Sequence, residues 1–426
     1  MRLFGDDGFR DKFGKGFLKE DFLIRFFKSL NFFLISKKIK NVFIGHDTRK
    51  SKEKILKILL KNLNYPKKIL LFKNAIPTPG LHHYVEKNPS YFGIMITASH
   101  FQNNYNGFKF FYKGKKLSIY YENKIIKILY KKKFKSNFHK NTQKKNKNLK
   151  IVSYNSYIHF LNKKFIFNSK KKILIDFANG AASPLKNKLS FLKNHFKIYY
   201  QYNGTNINKK CGSLYLLKNL SKKNFKQKDF CISFDGDADR VSFSEKEYGK
   251  LESEKVALIF IKYLKSFTRK KIKSIVSTNI VNPWFKKKMR DEKIKLYISK
   301  VGDRNIINKQ IKTKSIFGYE TSDHYSFNHK MDGLYAAGFF LEILNYRPDI
   351  IYKVINEKID YKLSKFKVRI NKLNKIKKLI KSNQKMDDLK IVLRKSIWNS
   401  FHRLYLFQKY NSKQTKFENQ VRNLLK

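Results

Sequence analysis

Short runs of β-branched and aromatic residues recur along this 426-residue chain, each ending in a polar turn and followed by a stretch with helical periodicity. Strands that alternate with helices in this way predict α/β domains with parallel or mixed sheets. Ligands of such sheets bind beyond the carboxyl ends of the strands. The polar residues that follow the runs are Asp47, Ser99, Asp176 and Asp235. We therefore expect a binding site to draw on these turns.

The chain is too long for a single ordinary core, so its length predicts two to four domains. Hydrophobic residues make up 42% of the chain, enough to form packed cores. We place the domain boundaries near residues 149, 244 and 352. Two segments rich in Lys and Asn, 131–150 and 362–382, are typical of linkers or exposed surface. A last strand is expected at Lys390–Ser396.

The net charge is extreme, because 95 Lys and Arg residues against 31 Asp and Glu residues leave +64. A balance of this kind usually indicates nucleic acid or an anionic surface as the partner. Here Lys, Asn, Ile, Phe and Tyr are enriched together along the whole length, and the lysines are spread out. This pattern favours compositional drift, so we expect nucleic acid not to be a functional partner.

The two cysteines, Cys211 and Cys231, lack the spacing of a zinc site or a disulfide framework. The first twelve residues carry acidic and basic residues where a signal peptide has its apolar core. The Phe-rich run Asp21–Ser36 contains Arg25 and Lys28, which predicts a buried helix rather than a membrane span. We expect a cytoplasmic protein without a membrane partner.

The most specific local motif is SFDGDADR, which begins at Ser233 and ends at Arg240. Three carboxylates alternate here at the end of an apolar run, and they repel one another unless a cation compensates. Oxygen ligands of this kind suit Mg²⁺ together with a phosphate oxygen or waters. An EF-hand is excluded, because its sixth and twelfth positions are occupied by Arg240 and Lys246 instead of Gly and Glu.

A second motif lies in YFGIMITASHFQNNYNGFKFF, which begins at Tyr91 and is almost free of charged residues. Its adjacent Ser99 and His100 are compatible with a Ser-His-Asp hydrolase or with a polar turn after a core strand. A phosphoserine is a further interpretation, because its oxygens would complete a divalent cation site with three carboxylates far better than a neutral hydroxyl. In that case Ser99 carries a phosphoryl group rather than attacking an ester.

Taken in order, the motifs resemble those of the α-D-phosphohexomutase superfamily. The corresponding segments are FGDDGFRD (Phe4–Asp11), GHDTRKS (Gly45–Ser51), TASHFQNNYNGFK (Thr97–Lys109), DGDADR (Asp235–Arg240), and GYETSDH (Gly318–His324) followed by Asp332–Gly333. Three more segments are most similar to the phosphoglucosamine mutase branch of bacteria: NGFKFF (Asn106–Phe111), GTNINKKCGS (Gly204–Ser213) and KVGDR (Lys300–Arg304).

The resemblance implies an isomerase that interconverts glucosamine 6-phosphate and glucosamine 1-phosphate through a phosphoserine enzyme and a bisphosphate. The same chemistry on glucose or mannose phosphates is the nearest alternative. A basic nucleic-acid-binding protein and a decayed, inactive mutase are the others. The implied cofactors are one Mg²⁺ per subunit and a hexosamine 1,6-bisphosphate activator, with a sugar phosphate as partner and a monomer or homodimer as the assembly.

The resemblance also assigns roles to individual residues. The implied catalytic residues are Ser99, His100, Lys109, Arg10 and His324. The implied metal ligands are Ser99, Asp235, Asp237 and Asp239. Substrate binding is implied for Arg240, Glu320, Ser322, Lys300, Asp303 and Arg304, and phosphate binding for Ser396 and Arg403.

The fold implied by the resemblance has four domains around a central cleft. Three are similar α/β domains with mixed sheets, at 1–148 with the phosphoserine loop, 149–243 with the metal loop and 244–351 with the sugar loop. The fourth, 352–426, is a smaller α+β domain that binds phosphate.

The phosphate loop and the serine loop are among the motifs that depart from the pattern of the superfamily. The phosphate loop RxSGTEPxxR is replaced by LRKSIWNSFHR (Leu393–Arg403), which lacks the glycine that lets backbone amides approach a phosphate. We expect weaker binding of the phosphate there, with the phosphoryl-transfer centre retained. In the serine loop, Phe101-Gln102 replaces Asn-Pro.

Overall fold

The structure is a computed structural model that describes residues 3–131, 148–168, 170–215, 228–267, 272–382, 389–395, 401–409 and 412–425. It comprises two compact units. The first contains Met1–Leu251, Asp323–Tyr325 and Lys330–Pro348, and the second contains Glu252–Ser322, Ser326–His329 and Asp349–Lys426. In the described part of the chain, no helix has the length and apolar character needed to cross a membrane.

The first unit contains two sheets built largely from the predicted strands. Strands of the first sheet are β1 (Phe9–Lys12), β2 (Asn41–His46), β3 (Lys68–Phe72), β4 (Phe92–Ile96), β5 (Tyr105–Tyr112), β6 (Lys115–Lys116) and β7 (Leu149–Val152). Strands of the second are β8 (Ile173–Asp176), β9 (Phe196–Ile198), β10 (Phe230–Phe234), β11 (Val241–Glu245) and β12 (Gly249–Lys250).

The remaining strands follow in chain order. They are β13 (Ser274–Thr278), β14 (Lys295–Ser299), β15 (Phe317–Glu320), β16 (His324–Phe327), β17 (Lys330–Met331), β18 (Tyr361–Arg369), β19 (Leu389–Lys395) and β20 (Phe401–Lys409). The helices are α1 (Glu20–Ser36), α2 (Lys52–Asn62), α3 (Thr78–Lys87), α4 (Ile119–Lys131), α5 (Asn155–Lys164), α6 (Ser253–Phe267), α7 (Pro283–Asp291), α8 (Asp303–Thr313), α9 (Gly333–Tyr346), α10 (Pro348–Ile355), α11 (Leu373–Ser382) and α12 (Ser412–Leu425).

The first sheet has the strand order β1-β5-β4-β2-β3-β7, and β6 pairs with β5. Strands β4, β2, β3 and β7 are parallel, while β5 is antiparallel to both β4 and β1. The carboxyl ends of β2 and β4 therefore lie side by side, which brings the turns after His46 and Ile96 together. This sheet confirms the expected mixed α/β architecture.

The second sheet has the order β12-β11-β10-β8-β9. Its central strand β10 is parallel to β8 and antiparallel to β11. Phe234 pairs with Val241 at the end of that hairpin, so the acidic motif forms the connection between β10 and β11. The polar turn after an apolar strand is therefore confirmed at this position.

In the second unit, β13 is parallel to both β14 and β15, and these three strands belong to the third sheet. The fourth sheet is antiparallel, with the order β18-β20-β19. In the segment 362–382, predicted to be linker or exposed surface, most lysines are exposed, but the chain forms β18 and α11 rather than a linker. Alternation along β18 places Val368 in a core with Leu404 and Phe417, so the lysines between the apolar residues face away from that core. The predicted last strand is confirmed as β19, although Ser396 lies outside the described residues.

Aromatic packing fixes the two strands that carry the basic residues of the site. The predicted buried helix is confirmed as α1, whose Phe26 ring packs 4.9 Å from the ring of Phe9 on β1. On β5, the rings of Phe108 and Phe110 lie 5.2 and 6.2 Å from Phe9. Each fully buried Phe contributes roughly 1.5–3 kcal/mol to folding. This cluster holds β1 and β5 in register.

The predicted linker, 131–150, lies mostly outside the described residues. Residues 132–147 lie outside the described residues, and β7 begins at Leu149 and pairs with β3 in the first sheet. The domain boundaries near 149, 244 and 352 stay predictions.

Candidate active site

Ser99 lies in the connection between β4 and β5, where the sequence places it after a core strand. Its backbone has a φ of 52°, in the left-handed region that residues with side chains rarely adopt. The backbone N–H of Ser99 donates to the Oγ1 of Thr97 at 2.9 Å, which supports the turn. The Oγ of Ser99 donates to the Oδ2 of Asp235 at 2.7 Å. Ser99 is thus buried and directed at the acidic motif.

Arg49 holds this connection in place, a role that our sequence interpretation did not assign to it. Its side chain is fully buried, and its Nε donates to the Oδ2 of Asp47 at 2.8 Å. Its Nη2 donates to the carbonyls of Ser99 at 3.0 Å and Phe101 at 2.7 Å. Its Nη1 donates to the carbonyls of Gln102 and Tyr105. One guanidinium therefore donates to four backbone carbonyls of the segment 99–105.

Asn208 adds a second clamp from the segment GTNINKKCGS. Its Nδ2 donates to the carbonyls of Ser99 at 2.8 Å and Phe101 at 2.9 Å. Gly236, inside the acidic motif, approaches the same loop so closely that a Cβ there would lie 2.5 Å from the carbonyl oxygen of Ser99. Only glycine permits that contact.

The three carboxylates of the acidic motif converge in the β10–β11 connection. Asp235, Asp237 and Asp239 are all buried, and one oxygen from each lies within 4.8 Å of the others. Burial first, and then the charges of the other two carboxylates, raise the pKa of Asp235 to about 7. The Oδ1 of Asp237 is buried and has no hydrogen-bond partner among the described residues. A buried acceptor without a hydrogen-bond donor is suited to binding a cation.

Lys109 enters the same cluster from β5. Its Nζ lies 2.8 Å from the Oδ2 of Asp237, 2.5 Å from the Oδ2 of Asp239 and 2.9 Å from the Oδ2 of Asp7. Lys116 lies 2.9 Å from the other oxygen of Asp7. Burial alone would raise the pKa of Asp7, but the charges of Lys109 and Lys116 outweigh it and leave that pKa well below its ordinary value. Asp7 and Lys116 are residues that the sequence interpretation missed.

His324 reaches the cluster from the start of β16. Its Nε2 lies 3.3 Å from the Oδ1 of Asp239 and 3.2 Å from the Nε of Arg240. The Nε of Arg240 is also 3.7 Å from the Oδ2 of Asp235. Burial opposes ionisation of Asp239, but the charge of Lys109 and then that of His324 hold its pKa well below the ordinary value.

Arg10 and His100 flank Ser99. The Nη1 of Arg10 donates to the carbonyl of Ala98 at 3.4 Å, and the Nδ1 of His100 lies 3.3 Å from the Oγ of Ser99. Burial, followed by the charges of Arg240 and Arg10, lowers the pKa of His100 well below its ordinary value. His100 is therefore a neutral group at physiological pH, suited to hydrogen bonding rather than to carrying charge.

Thr78, at the start of α3, is another residue that sequence reasoning missed. Its Oγ1 donates to the Oδ2 of Asp237 at 2.5 Å, and its N–H donates to the carbonyl of Asp237 at 2.9 Å. No motif pointed to Thr78. By contrast, the segments GHDTRKS and GTNINKKCGS offered a signal for Arg49 and Asn208, because both belong to the resemblance.

The second unit contains five of the predicted substrate residues, and a hydrogen bond joins two of them, Glu320 and Ser322. The Oε1 of Glu320 accepts from the N–H of Gly302 at 2.8 Å, which ties the end of β15 to the segment KVGDR. Ser322 donates from its Oγ to the Oε2 of Glu320 at 3.0 Å. Asp303 and Arg304 begin α8 and are buried, whereas Lys300 is exposed.

Of the two predicted phosphate-binding residues, Arg403 lies on the fourth sheet. Arg403 is exposed on β20, where its cross-strand partners are Lys367 on β18 and Arg394 on β19. Cations directly opposite one another on a sheet repel, so this row favours an anion. Ser396 lies outside the described residues.

The structure thus divides the predicted site residues between the two units. The first unit brings together Ser99, His100, Lys109, Arg10, Asp235, Asp237, Asp239, Arg240 and His324. The second unit contains Lys300, Asp303, Arg304, Glu320, Ser322 and Arg403.

Comparisons with known proteins identify two segments of the chain with a family. Residues 1–136 match the α/β/α domain I of phosphoglucomutase/phosphomannomutase, and residues 252–361 match domain III of the same family. Phosphoglucosamine mutase of Caldicellulosiruptor saccharolyticus is 33% identical over 330 residues, which span 76% of this chain and 73% of that protein.

Solved structures share the fold. Parafusin, a phosphoglucomutase from Paramecium in its open form, superimposes with a TM-score of 0.80 at 16% identity, and the match covers 99% of this chain and 94% of that one. N-acetylphosphoglucosamine mutase of Aspergillus fumigatus, solved with GlcNAc-6P and magnesium, gives a TM-score of 0.68 at 13% identity over 100% of this chain and 96% of that one.

Proposed function

The chain belongs to the phosphoglucomutase/phosphomannomutase family, and we propose that it interconverts glucosamine 6-phosphate and glucosamine 1-phosphate. The relative from Caldicellulosiruptor carries the name phosphoglucosamine mutase, and this chain matches nearly three quarters of its length. The reaction would proceed through a phosphoserine enzyme and a hexosamine 1,6-bisphosphate. Its product feeds amino-sugar precursor synthesis, which leads to UDP-N-acetylglucosamine and peptidoglycan.

The observation that carries this proposal is the hydroxyl of Ser99, 2.7 Å from Asp235 at the edge of three buried carboxylates. A Ser-His-Asp hydrolase would pair the hydroxyl of Ser99 with a histidine. Here that hydroxyl donates to Asp235 at 2.7 Å, while the Nδ1 of His100 lies farther away at 3.3 Å. The surroundings instead suit a serine that carries a phosphoryl group, because the adjacent carboxylates and basic side chains can bind a cation and the phosphate oxygens.

In the first half-reaction, the bond between the Oγ of phosphorylated Ser99 and phosphorus breaks while phosphorus bonds to the free hydroxyl oxygen of the sugar phosphate. The proton of that hydroxyl passes to a base, and the Oγ of Ser99, released as an alkoxide, takes up a proton to become a hydroxyl. The bisphosphate then reverses its orientation. In the second half-reaction, the Oγ of Ser99 gives its proton to a base and bonds to the phosphorus of the other phosphoryl group, while the bond from that phosphorus to the sugar oxygen breaks and the released oxygen takes a proton.

We assign the proton transfers to Lys109 and His324, one for each orientation of the sugar. Nε2 of His324 faces both a donor, Arg240, and a carboxylate oxygen of Asp239. A nitrogen with those two neighbours is suited to gain and lose a proton. Lys109 is buried, and its ammonium is held by carboxylates within 3 Å, so its position is well defined.

The donor set fits a divalent cation, for which we propose Mg²⁺. Asp235, Asp237 and Asp239 would hold it with an oxygen on Ser99, and the buried Oδ1 of Asp237 with no partner among the described residues supports this assignment. When bound, the cation would neutralise charge on the phosphate oxygens and keep the three carboxylates ionised. Oxygen ligands rather than nitrogen or sulfur agree with Mg²⁺.

The remaining roles follow from charge. We propose that Arg10 and Arg240 bind oxygens of the transferring group, and that Glu320 and Ser322 bind sugar hydroxyls. Lys300, Asp303 and Arg304 complete the substrate site in this proposal, while Ser396 and Arg403 anchor the phosphate that is not being transferred. We further propose four domains at 1–148, 149–243, 244–351 and 352–426, a cytoplasmic location, a monomer or homodimer, and no functional nucleic-acid partner.

The decisive experiment is a coupled assay that offers glucosamine, glucose and mannose 6-phosphates with Mg²⁺ and a hexose bisphosphate. We expect the glucosamine compound to turn over fastest, and Ser99→Ala to abolish turnover. A preference for glucose or mannose phosphate would reassign the substrate. The absence of turnover on all three would refute the enzyme itself.

A further inference from the structure

Phe101 stands immediately after the Ser99-His100 pair, and its ring lies beneath a charged group of the site. The guanidinium carbon of Arg10 is 5.3 Å from the centre of the Phe101 ring, within the range of a cation–π interaction. Such an interaction attracts the cation to the ring face and favours a guanidinium stacked on it. The contact joins β1 to the serine loop.

The backbone of Phe101 is held from two sides, so its ring is a fixed platform. The carbonyl of Phe101 accepts from Arg49 at 2.7 Å and from Asn208 at 2.9 Å. The ring packs against that of His100 at 4.8 Å and that of Tyr105 at 4.9 Å. A side chain with a fixed backbone and a ring neighbour on either side has little freedom to move.

The base of Arg10 is equally fixed. Arg10 pairs with Gly107 in the register of β1 and β5. A Cβ at Gly107 would lie 2.7 Å from the Cβ of Arg10, so the glycine leaves room for the Arg10 side chain. The Nη1 of Arg10 then reaches the carbonyl of Ala98, next to Ser99.

Without the ring, other charges would compete for the guanidinium. The carboxylates of Asp7, Asp237 and Asp239 attract Arg10, and the charge of Arg240 repels it. A long, flexible side chain in such a field has several favourable positions, and stacking on Phe101 favours the one that reaches the carbonyl of Ala98 beside Ser99. Asn and Pro, the residue types that the superfamily pattern has here, offer no aromatic face.

We propose that Phe101 is a positioning residue that holds the Arg10 guanidinium in place for phosphoryl transfer at Ser99. The inference rests on the proposed function, because Arg10 acts on the transferring group. Phe101 touches neither the sugar nor the phosphate in this role. It acts through Arg10, and its removal therefore lowers kcat more than it raises KM.

The test compares Phe101→Leu, which keeps an apolar side chain of similar size, with Phe101→Tyr, which keeps the aromatic face. We expect kcat/KM for the hexose phosphate to fall about tenfold in the Leu variant, mainly through kcat, and to stay within about twofold in the Tyr variant. In an Arg10→Ala background, Phe101→Leu should have no further effect, because the group that Phe101 positions is gone.

A second measurement is independent of turnover. The Arg10 side-chain N–H resonance should be shifted upfield by the ring current of Phe101 and should move toward its ordinary position in Phe101→Leu. Equal kcat/KM for wild type and Phe101→Leu, or an undiminished Leu effect in the Arg10→Ala background, would overturn the proposal. If no hexose phosphate turns over, the proposed function fails, and the resonance alone decides whether Phe101 holds Arg10.

Discussion

Replacing Arg49 by Met removes the guanidinium that clamps the serine loop, and we expect that loop to open far more often. Arg49 is fully buried, pairs with Asp47 at 2.8 Å and donates to four carbonyls between Ser99 and Tyr105. Met has a similar length but no donors. The substitution therefore leaves a buried carboxylate without its cation and a loop without its main donors.

The magnitude follows from the cost of breaking a buried ion pair. Removing one partner destabilises by about 3–5 kcal/mol, since the remaining charge stays buried. Asp47 keeps two donors, the Oγ1 of Thr97 at 2.7 Å and the backbone N–H of residue 49 at 3.0 Å, so the lower end of that range applies. A loss of about 3 kcal/mol in local stability corresponds to amide exchange roughly 150 times faster in the loop.

Hydrogen exchange read by mass spectrometry on peptides spanning 97–105 measures this directly. Arg49→Lys should give an intermediate effect, because it keeps a charge for Asp47 but loses the planar fork. Arg422→Met is the matched control, since Arg422 pairs with Glu418 on a half-exposed part of α12 and should leave exchange at 97–105 unchanged. An increase of less than about fivefold in Arg49→Met would show that the guanidinium does not hold the loop.

Four further outcomes can be checked separately. Ser99→Ala should lack the mass of one phosphate that the wild-type protein carries, and equal intact masses would contradict a phosphoserine there. Mg²⁺ should raise the melting temperature of the wild type but not of Asp237→Asn, and equal shifts would remove Asp237 from the metal site. Burial raises the pKa of Asp176 from its ordinary value of 3.8 to about 7. The stability that this carboxyl contributes is therefore fully present below pH 3.8 and is lost as the pH rises through 7. Relative to Asp176→Asn, the unfolding midpoint of the wild type should therefore fall as the pH rises from 3.8 to 7, and a rise over that range would refute the prediction. Arg403→Ala should raise KM about tenfold while Lys409→Ala does not, and an unchanged KM would mean that Arg403 holds no phosphate.

Much of the fold was accessible from local patterns. Apolar runs that end in polar residues identified β2, β4, β8 and β10, because the burial of a strand and the formation of a turn both depend on a few consecutive residues. In the Lys-rich stretch 362–382, most lysines are exposed as expected, but the regular structure of β18 and α11 was not predicted. There, Phe366 and Val368 alternate with lysines, and a half-buried strand of this kind has the composition of exposed surface.

The candidate site, like the fold, could be predicted only in part from the sequence. Its three carboxylates alternate within one motif, so a shared role in metal binding can be predicted without any structure. Thr78 belongs to none of the motifs, and Asp7, although it lies in FGDDGFRD, was given no role there. Their contacts with Asp237 and Lys109 exist only after distant strands pair.

The sequence by itself determined the alternation of strands and helices, the acidic motif after β10 and the serine turn after β4, since each depends on neighbouring residues. Tertiary structure alone decided that Arg49 and Asn208 clamp the serine loop, that Lys109 enters the carboxylate cluster and that Arg10 lies on Phe101. These contacts join residues far apart in the chain. They are set by strand order, register and packing, which no short segment specifies.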